Sequence, residues 1–212
     1  MVFTRRTLLG LGIAAGPFYL SLGVGQGLVR EGFDFGRHPL SVLANGPGGW
    51  VQTANFILTG LMVIGAAVGV RRTLAPKGRA TSLFLGGYGL GMLAASVLRA
   101  DPMDGFPPGT PLGPPTSLTP MGMGHFIAGG LGFLCLAVSC FCAAGALSRR
   151  GARPLARLSF FSGLAVVLGF FGGPMLPTPA AVVLGIWFAV VAGWVWLAVL
   201  CRRLQSVSPE PS

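Results

Sequence analysis

Long apolar stretches separated by short polar or basic ones form the main pattern of this 212-residue chain. Six stretches contain no Asp, Glu, Lys or Arg, and each approaches or exceeds the roughly 20 residues with which a helix crosses about 30 Å of hydrocarbon. They lack the period-two alternation of a barrel strand. The pattern therefore predicts an all-α fold, a polytopic transmembrane bundle of six helices at residues 8–29, 50–70, 81–98, 121–147, 158–176 and 180–201.

Composition supports the same class. Hydrophobic residues make up 52% of the chain and charged residues 9%, whereas a soluble domain is about one-quarter charged. So much apolar surface requires lipid as its solvent. We predict one transmembrane domain at residues 1–203, with proline- and glycine-rich external loops that are structured, and a short disordered cytoplasmic tail at 204–212.

The distribution of positive charge predicts the orientation. Twelve of the 15 Lys and Arg residues precede the first stretch, follow the sixth, or lie in the second and fourth connections. The positive-inside rule then places both termini in the cytoplasm. Arg5 and Arg6 precede an apolar run without a clear cleavage site, so we interpret them as topology anchors rather than an export signal. The dispersed charges form no basic face or binding motif, so no nucleic-acid partner is expected.

Signatures of cofactor sites are absent from the sequence. The four cysteines lie inside or at the ends of predicted helices, without the spacing of zinc or redox motifs, and fit small packing residues. No pair of histidines has zinc-site spacing, and G-x-S-x-G does not occur. We therefore predict no metal and no cofactor.

Residues capable of acid–base chemistry gather on the side opposite the positive charge. Both histidines and four of the five acidic residues fall there. Gln52, Asn55 and Thr59 share one face of the second helix, and the cost of placing amides in lipid predicts that this face points into the bundle. The catalytic candidates are His125, Asp101 and His38, and the ligand-binding candidates are Arg37, Trp50, Gln52, Asn55, Tyr88, Arg99 and Asp104.

Each candidate also has a structural interpretation. Asp104 precedes Gly105, an ordinary turn pair, and Arg99 lies near both Asp101 and Asp104, as in an interfacial salt bridge. Histidines at helix ends and in loops often satisfy packing or hydrogen bonding. We expect Asp101 to lie closer to a pocket than Asp104, and Asn55, Arg99 and His125 to share one membrane depth.

Two motifs resemble a known family. RHPLSVLANGPGGWVQTANFILTG is followed by a basic loop that begins VRR, and DPMDGFPPGTP is followed by a Ser/Thr-containing spacer and MGMGHFIAGG. This combination resembles the bacterial and archaeal membrane family called domain of unknown function 998. The resemblance implies six helices, both motifs facing outward, and a plasma-membrane location. Its motif positions here are His38, Pro39, Ser41, Gly46, Trp50, Asn55, Asp101, Phe106, Pro107 and His125.

Three functions fit these features. The first is the binding of a membrane lipid or other amphiphile in an outward-facing polar pocket with apolar walls. The second is an enzyme that acts on a lipid head group or isoprenoid, with Asp101 and His125 as acid and base. The third is an accessory subunit that docks an envelope protein partner, and a homo-oligomer is also compatible. A proton-driven transporter fits less well, because no ionisable group lies at the midplane of the fifth and sixth helices.

Overall fold

The computed structural model of the chain describes residues 3–113, 115, 117–175 and 178–206. It contains six long helices, each long and apolar enough to cross a membrane. No strand occurs within these residues, so the prediction of an all-α fold with six spanning helices is confirmed. The helices are α1 (Arg5–Val29), α2 (Gly49–Leu74), α3 (Arg79–Val97), α4 (Pro120–Ser148), α5 (Arg153–Gly172) and α6 (Pro179–Gln205).

Helix ends differ from the ends of the apolar runs. The hydroxyls of Thr4, Thr119 and Thr178 accept backbone N–H groups in the first turns of α1, α4 and α6, as N-cap residues do. α5 begins at Arg153, five residues before the predicted start at 158, and ends at Gly172, four residues before the predicted end at 176, where the chain continues as a 3₁₀ turn to Met175. α6 continues to Gln205, two residues beyond the predicted domain boundary. Residues 207–212 of the predicted tail lie outside the described residues.

The six helices close into a ring. Each packs against its neighbours in the sequence, and α1 packs against α6. Glycines allow this closure, because a Cβ at Gly12 or Gly16 of α1 would overlap the side chains of Cys201 or Trp194 of α6. Such small residues let helix backbones approach closely in membranes.

The two ends of the ring differ in charge. We call one end the arginine end. It carries the start of α1, the α2–α3 and α4–α5 connections and the end of α6. Side-chain bonds tie it together: Gln205 Nε2 donates to the Arg6 carbonyl at 2.8 Å, and Arg150 donates to the carbonyls of Thr73, in the last turn of α2, and Ala75, in the α2–α3 connection. We call the opposite end the loop end, and it carries the described residues of 30–48, 98–119 and 173–178. All the acidic residues that the structure describes belong to the loop end: Glu31, Asp34, Asp101 and Asp104.

The polar face of α2 points into the bundle, as predicted. Gln52, Asn55 and Thr59 are fully buried. Asn55 Nδ2 donates to the Tyr19 carbonyl at 3.0 Å and to Gln52 Oε1 at 3.2 Å, while Thr59 Oγ1 donates to Asn55 Oδ1 at 3.2 Å. These bonds satisfy the Asn55 amide and Gln52 Oε1, which would be costly to bury alone, and join α2 to α1, whereas the buried Gln52 Nε2 has no hydrogen-bond partner among the described residues.

Candidate functional site

The two long connections at the loop end interlock through an ion pair. Arg37 Nε donates to Asp104 Oδ2 at 2.8 Å, and Arg37 Nη2 donates to Asp104 Oδ1 at 2.6 Å. Gly113 N also donates to Asp104 Oδ1, at 2.8 Å. The Arg37 guanidinium and this N–H hold the pKa of the Asp104 carboxyl well below its usual range. We call the interlocked residues 30–48 and 98–119 the lid.

His38 joins the two segments of the lid through its ring. It is fully buried. Its Nδ1 accepts the Asp34 N–H at 3.0 Å, so its protonated Nε2 donates to the Asp104 carbonyl at 3.0 Å. Both ring nitrogens are therefore occupied by backbone groups. This arrangement suits a structural role for His38, and its catalytic role stays a prediction.

Arg30 is a lid residue that the sequence did not single out. Its guanidinium donates to the carbonyls of Leu43 at 3.2 Å and Asn45 at 2.7 Å. It also lies 5.0 Å from the ring centroid of Phe106, within the range of a cation–π contact. Partial burial lowers the pKa of Arg30. In the sequence it appeared only as a charge on the less basic side.

A cavity of about 280 Å³ lies inside the ring beneath the lid. Its wall is almost entirely apolar or aromatic, and all six helices contribute to it. Tyr19, Phe56 and Tyr88 belong to the inner wall, and the short helix η1 (Leu40–Ala44) covers part of the top. An enclosed apolar volume with few polar groups is the usual form of a small-ligand site.

Three polar residues line the cavity beside the lid: Ser41, Asp101 and His125. Asp101 accepts the Thr119 N–H at 2.9 Å and the Thr119 hydroxyl at 2.5 Å, so its charge lies near the favourable positive end of α4. His125 Nδ1 donates to the Leu98 carbonyl at 2.8 Å, which leaves Nε2 of the neutral ring as an acceptor. In the described contacts, no hydrogen bond joins Asp101 to His125.

α5 contributes less to the cavity wall than α4 does. α5 has 20 residues and α4 has 29. Near the end of α5, the ring of Phe170 stacks on that of Phe133 in α4, with centroids 4.2 Å apart. Phe170 is the contribution of α5 to the cavity wall. A Cβ placed at Gly129, which lines the cavity one turn before Phe133, would meet no atom within 4 Å.

The comparison with protein families agrees with the two loop motifs. The family described as "protein of unknown function (DUF998)" matches residues 13–203, which is most of the chain. The chain belongs to the DUF998 family. A search of curated proteins found no match, and neither did a search of solved structures. The family resemblance drawn from the sequence is therefore confirmed, and the family description supplies no activity.

The structure of this DUF998 protein brings only part of the predicted site together. Tyr88, Asp101 and His125 line the cavity. Gln52 and Asn55 are buried in the α2 network, and Arg37 and Asp104 pair within the lid. Arg99 is exposed, and the expected pairing of Arg99 with Asp101 or Asp104 is replaced by their bonds to Thr119 and Arg37.

Trp50 is the remaining ligand-binding candidate. Its side chain is 73% exposed, and it does not contribute to the cavity wall. An outward-facing tryptophan at a helix start suits the membrane interface. Its ligand-binding role stays a prediction, and its position is that of an interfacial anchor.

The chemistry available to the DUF998 cavity follows from these groups. The described residues contain no group of three His, Cys, Asp or Glu side chains that could hold a metal. Asp101 and His125 are each bonded to a different structural partner, and none of the lid cations Arg30, Arg37 and Arg99 lines the wall. The cavity can enclose an apolar chain and offer acceptors to a polar group beside the lid.

Proposed function

We propose that this DUF998 protein binds a lipid or other amphiphile in the cavity, with its loop end facing the outside of a bacterial or archaeal plasma membrane. The observation that carries the proposal is the cavity of about 280 Å³, whose walls are apolar and whose polar residues Ser41, Asp101 and His125 lie beside the lid. An amphiphile has the same separation of apolar body and polar head, so its burial removes hydrocarbon from water without leaving its head unpaired.

We infer that a ligand enters the cavity from the membrane beside Gly129. A Cβ there would meet no atom within 4 Å, and Phe170 is the contribution of α5 to the wall. In a bilayer that side borders hydrocarbon, so an acyl or isoprenoid chain would enter without crossing water. The orientation follows from the twelve cations at the arginine end, which favour the cytoplasm.

The geometry favours binding over acid–base catalysis. A general acid and base must reach the same reacting group at hydrogen-bond distance. Asp101 is bonded to Thr119, and His125 to the Leu98 carbonyl. A binding site tolerates this looser arrangement of polar groups.

Photo-crosslinking with a long-chain probe, combined with a substitution that fills the cavity, tests the proposal. The probe is hexadecanol that carries a diazirine within its chain, added to the purified full-length protein in detergent and cross-linked by light. We expect saturable labelling of cavity-wall peptides from α3, α4 and α6. Gly129→Phe should weaken this labelling by about tenfold, a loss of about 1.4 kcal/mol in binding free energy.

Gly130→Phe is the matched control. Gly130 is the next residue of the same helix, a Cβ there also meets nothing within 4 Å, and it does not line the cavity. We expect it to label like the wild-type protein, and both variants to keep their unfolding temperature. Equal labelling of Gly129→Phe and Gly130→Phe, or labelling that unlabelled hexadecanol does not displace, would contradict the proposal.

A further inference from the structure

A second concave site lies at the opposite end of the ring. A cleft of about 970 Å³ opens at the arginine end, between the α2–α3 connection, the α4–α5 connection and the end of α6. Its walls include Leu74, Leu147 and Leu155, and its cations are Lys77, Arg150 and Arg203. We call it the basic cleft. It shares no lining residue with the cavity beneath the lid.

The positive charge of the basic cleft has no described acidic neighbour. Every acidic residue in the described part of the chain belongs to the loop end. Arg150 Nη1 donates to the Thr73 carbonyl at 3.1 Å, and Nη2 donates to the Ala75 carbonyl at 3.3 Å. These bonds hold the guanidinium in place and neutralise none of its charge. A fixed guanidinium with further N–H groups is well suited to phosphate.

The start of α5 adds to the positive electrostatic potential of the basic cleft. Ala152, the N-cap residue, has no side chain that accepts a hydrogen bond from the helix, and Ala152 and Pro154 both line the cleft. The N-terminus of a 20-residue helix therefore presents its positive end there. This contribution reinforces the cations and does not by itself define the site.

The apolar walls of the basic cleft favour a lipid phosphate over a free phosphate ion as its ligand. Beyond its cations, the cleft continues along Leu158 of α5 and Val199 of α6, within the helices long and apolar enough to cross a membrane. A free phosphate would leave those walls without a partner. A lipid places its phosphate and its hydrocarbon in this same order.

We infer that the basic cleft binds the phosphate head group of an anionic phospholipid, with the start of an acyl chain against its leucine walls. Clusters of Lys and Arg at the cytoplasmic surface are known to attract anionic lipids, and this cleft adds depth and apolar contact to such charge. The inference is independent of the proposed function, because the two sites lie at opposite ends of the bundle.

Native mass spectrometry of the purified full-length protein in detergent tests the inference. The probes are dioleoyl phosphatidylglycerol and dioleoyl phosphatidylcholine. The wild-type protein should retain the first in preference to the second. Lys77→Gln/Arg203→Gln should weaken phosphatidylglycerol binding by about tenfold, since an exposed ion pair contributes up to about 1 kcal/mol and a tenfold change is about 1.4 kcal/mol.

The matched control is Arg79→Gln/Arg202→Gln, which removes the same charge from neighbouring positions that do not line the cleft. It should bind phosphatidylglycerol within about twofold of the wild type, because screening weakens distant charges. Equal losses in both double variants would overturn the inference, as would equal retention of phosphatidylcholine. Competition by glycerol 1-phosphate at the same concentration would assign the cleft to soluble phosphate esters. If a double variant fails to fold, Arg203→Gln against Arg202→Gln gives the same comparison.

Discussion

Single side chains in this protein connect segments that are far apart in sequence. Arg37 and Asp104 are 67 positions apart, and His38 reaches the Asp104 carbonyl through its Nε2. Asp104 itself has a φ of 48°, a left-handed conformation that Asp and Asn tolerate better than most residues. One residue thus fixes the turn, the ion pair and the acceptor of a buried histidine.

Asp104→Asn tests the charge of this residue while keeping a side chain suited to the same turn. The carboxyl pKa is lowered on folding, so its stabilisation is present above the ordinary pKa of about 4 and is lost as pH falls through the lower folded value. The wild-type protein should unfold at a higher temperature than Asp104→Asn at pH 7. The difference should be small, because the Arg37 side chain is 43% exposed.

The pH dependence of the unfolding temperature distinguishes the effect of the Asp104 charge from the effect of its side-chain shape. The difference in unfolding temperature should shrink progressively below about pH 4, because the Asp104 carboxyl of the unfolded chain takes up a proton there while the folded one stays charged. Thermal unfolding in detergent, followed by circular dichroism from pH 7 to pH 3, measures it. A difference that stays constant over this range would mean that the carboxylate charge contributes nothing.

The sequence predicted some residue positions well and others poorly, for a physical reason. The burial of Gln52, Asn55 and Thr59 follows from helical spacing and the cost of exposing amides to lipid, which are local arguments. The exposed position of Arg99 and the pairing of Arg37 with Asp104 depend on how two long loops fold over each other. Loop conformation has no periodicity to read, so those partners could not be assigned.

At the scale of helices, close backbone contact determines where the chain tolerates a side chain. In the α5–α6 pair, a Cβ at Gly169 would lie 2.5 Å from the Gly185 carbonyl oxygen and 3.0 Å from the Ala189 nitrogen. Backbone atoms cannot move aside as a flexible side chain can. By contrast, a Cβ at Gly172 would meet nothing within 4 Å.

Gly169→Val should therefore separate α5 from α6. We expect a loss of about 1–3 kcal/mol in the free energy of unfolding, the range for overpacking a well-packed core. Gly172→Val, the control in the same helix, should cost less. Unfolding temperatures and the monodisperse fraction on size exclusion measure both, and equal stability of the two variants would disprove the contact.

The number and type of the helices were predictable from apolar length, but their ends were not. An apolar run in the sequence indicates only the part of a helix that lies in the hydrocarbon of the membrane. Caps and connections decide the rest: α3 begins at Arg79 and α5 at Arg153, both in basic segments that the hydropathy pattern excluded. A pocket on the outer side was expected from the sequence, but its walls could not be assigned, because they depend on how all six helices pack together.

The whole molecule separates charge along its axis, and this separation predicts its orientation. Ser117 lies in the lid and Ser148 ends α4 at the arginine end, and both are exposed. In intact cells, a membrane-impermeant maleimide should label Ser117→Cys and leave Ser148→Cys unlabelled until the cells are opened. The native cysteines lie within α4 and α6, so the protein without a new cysteine gives the background. The reverse pattern would invert the proposed topology.

The unequal lengths of α4 and α5 also have a consequence for the surrounding bilayer. At 1.5 Å per residue, α5 spans about 30 Å, which matches the hydrocarbon thickness, whereas α4 spans about 43 Å. Because α4 is longer than the hydrocarbon is thick, we expect it to tilt or to extend into the head-group layer. A thicker membrane would place more acyl chain against the proposed entrance beside Gly129. Under the proposed function, we therefore expect membrane thickness to regulate entry of the ligand.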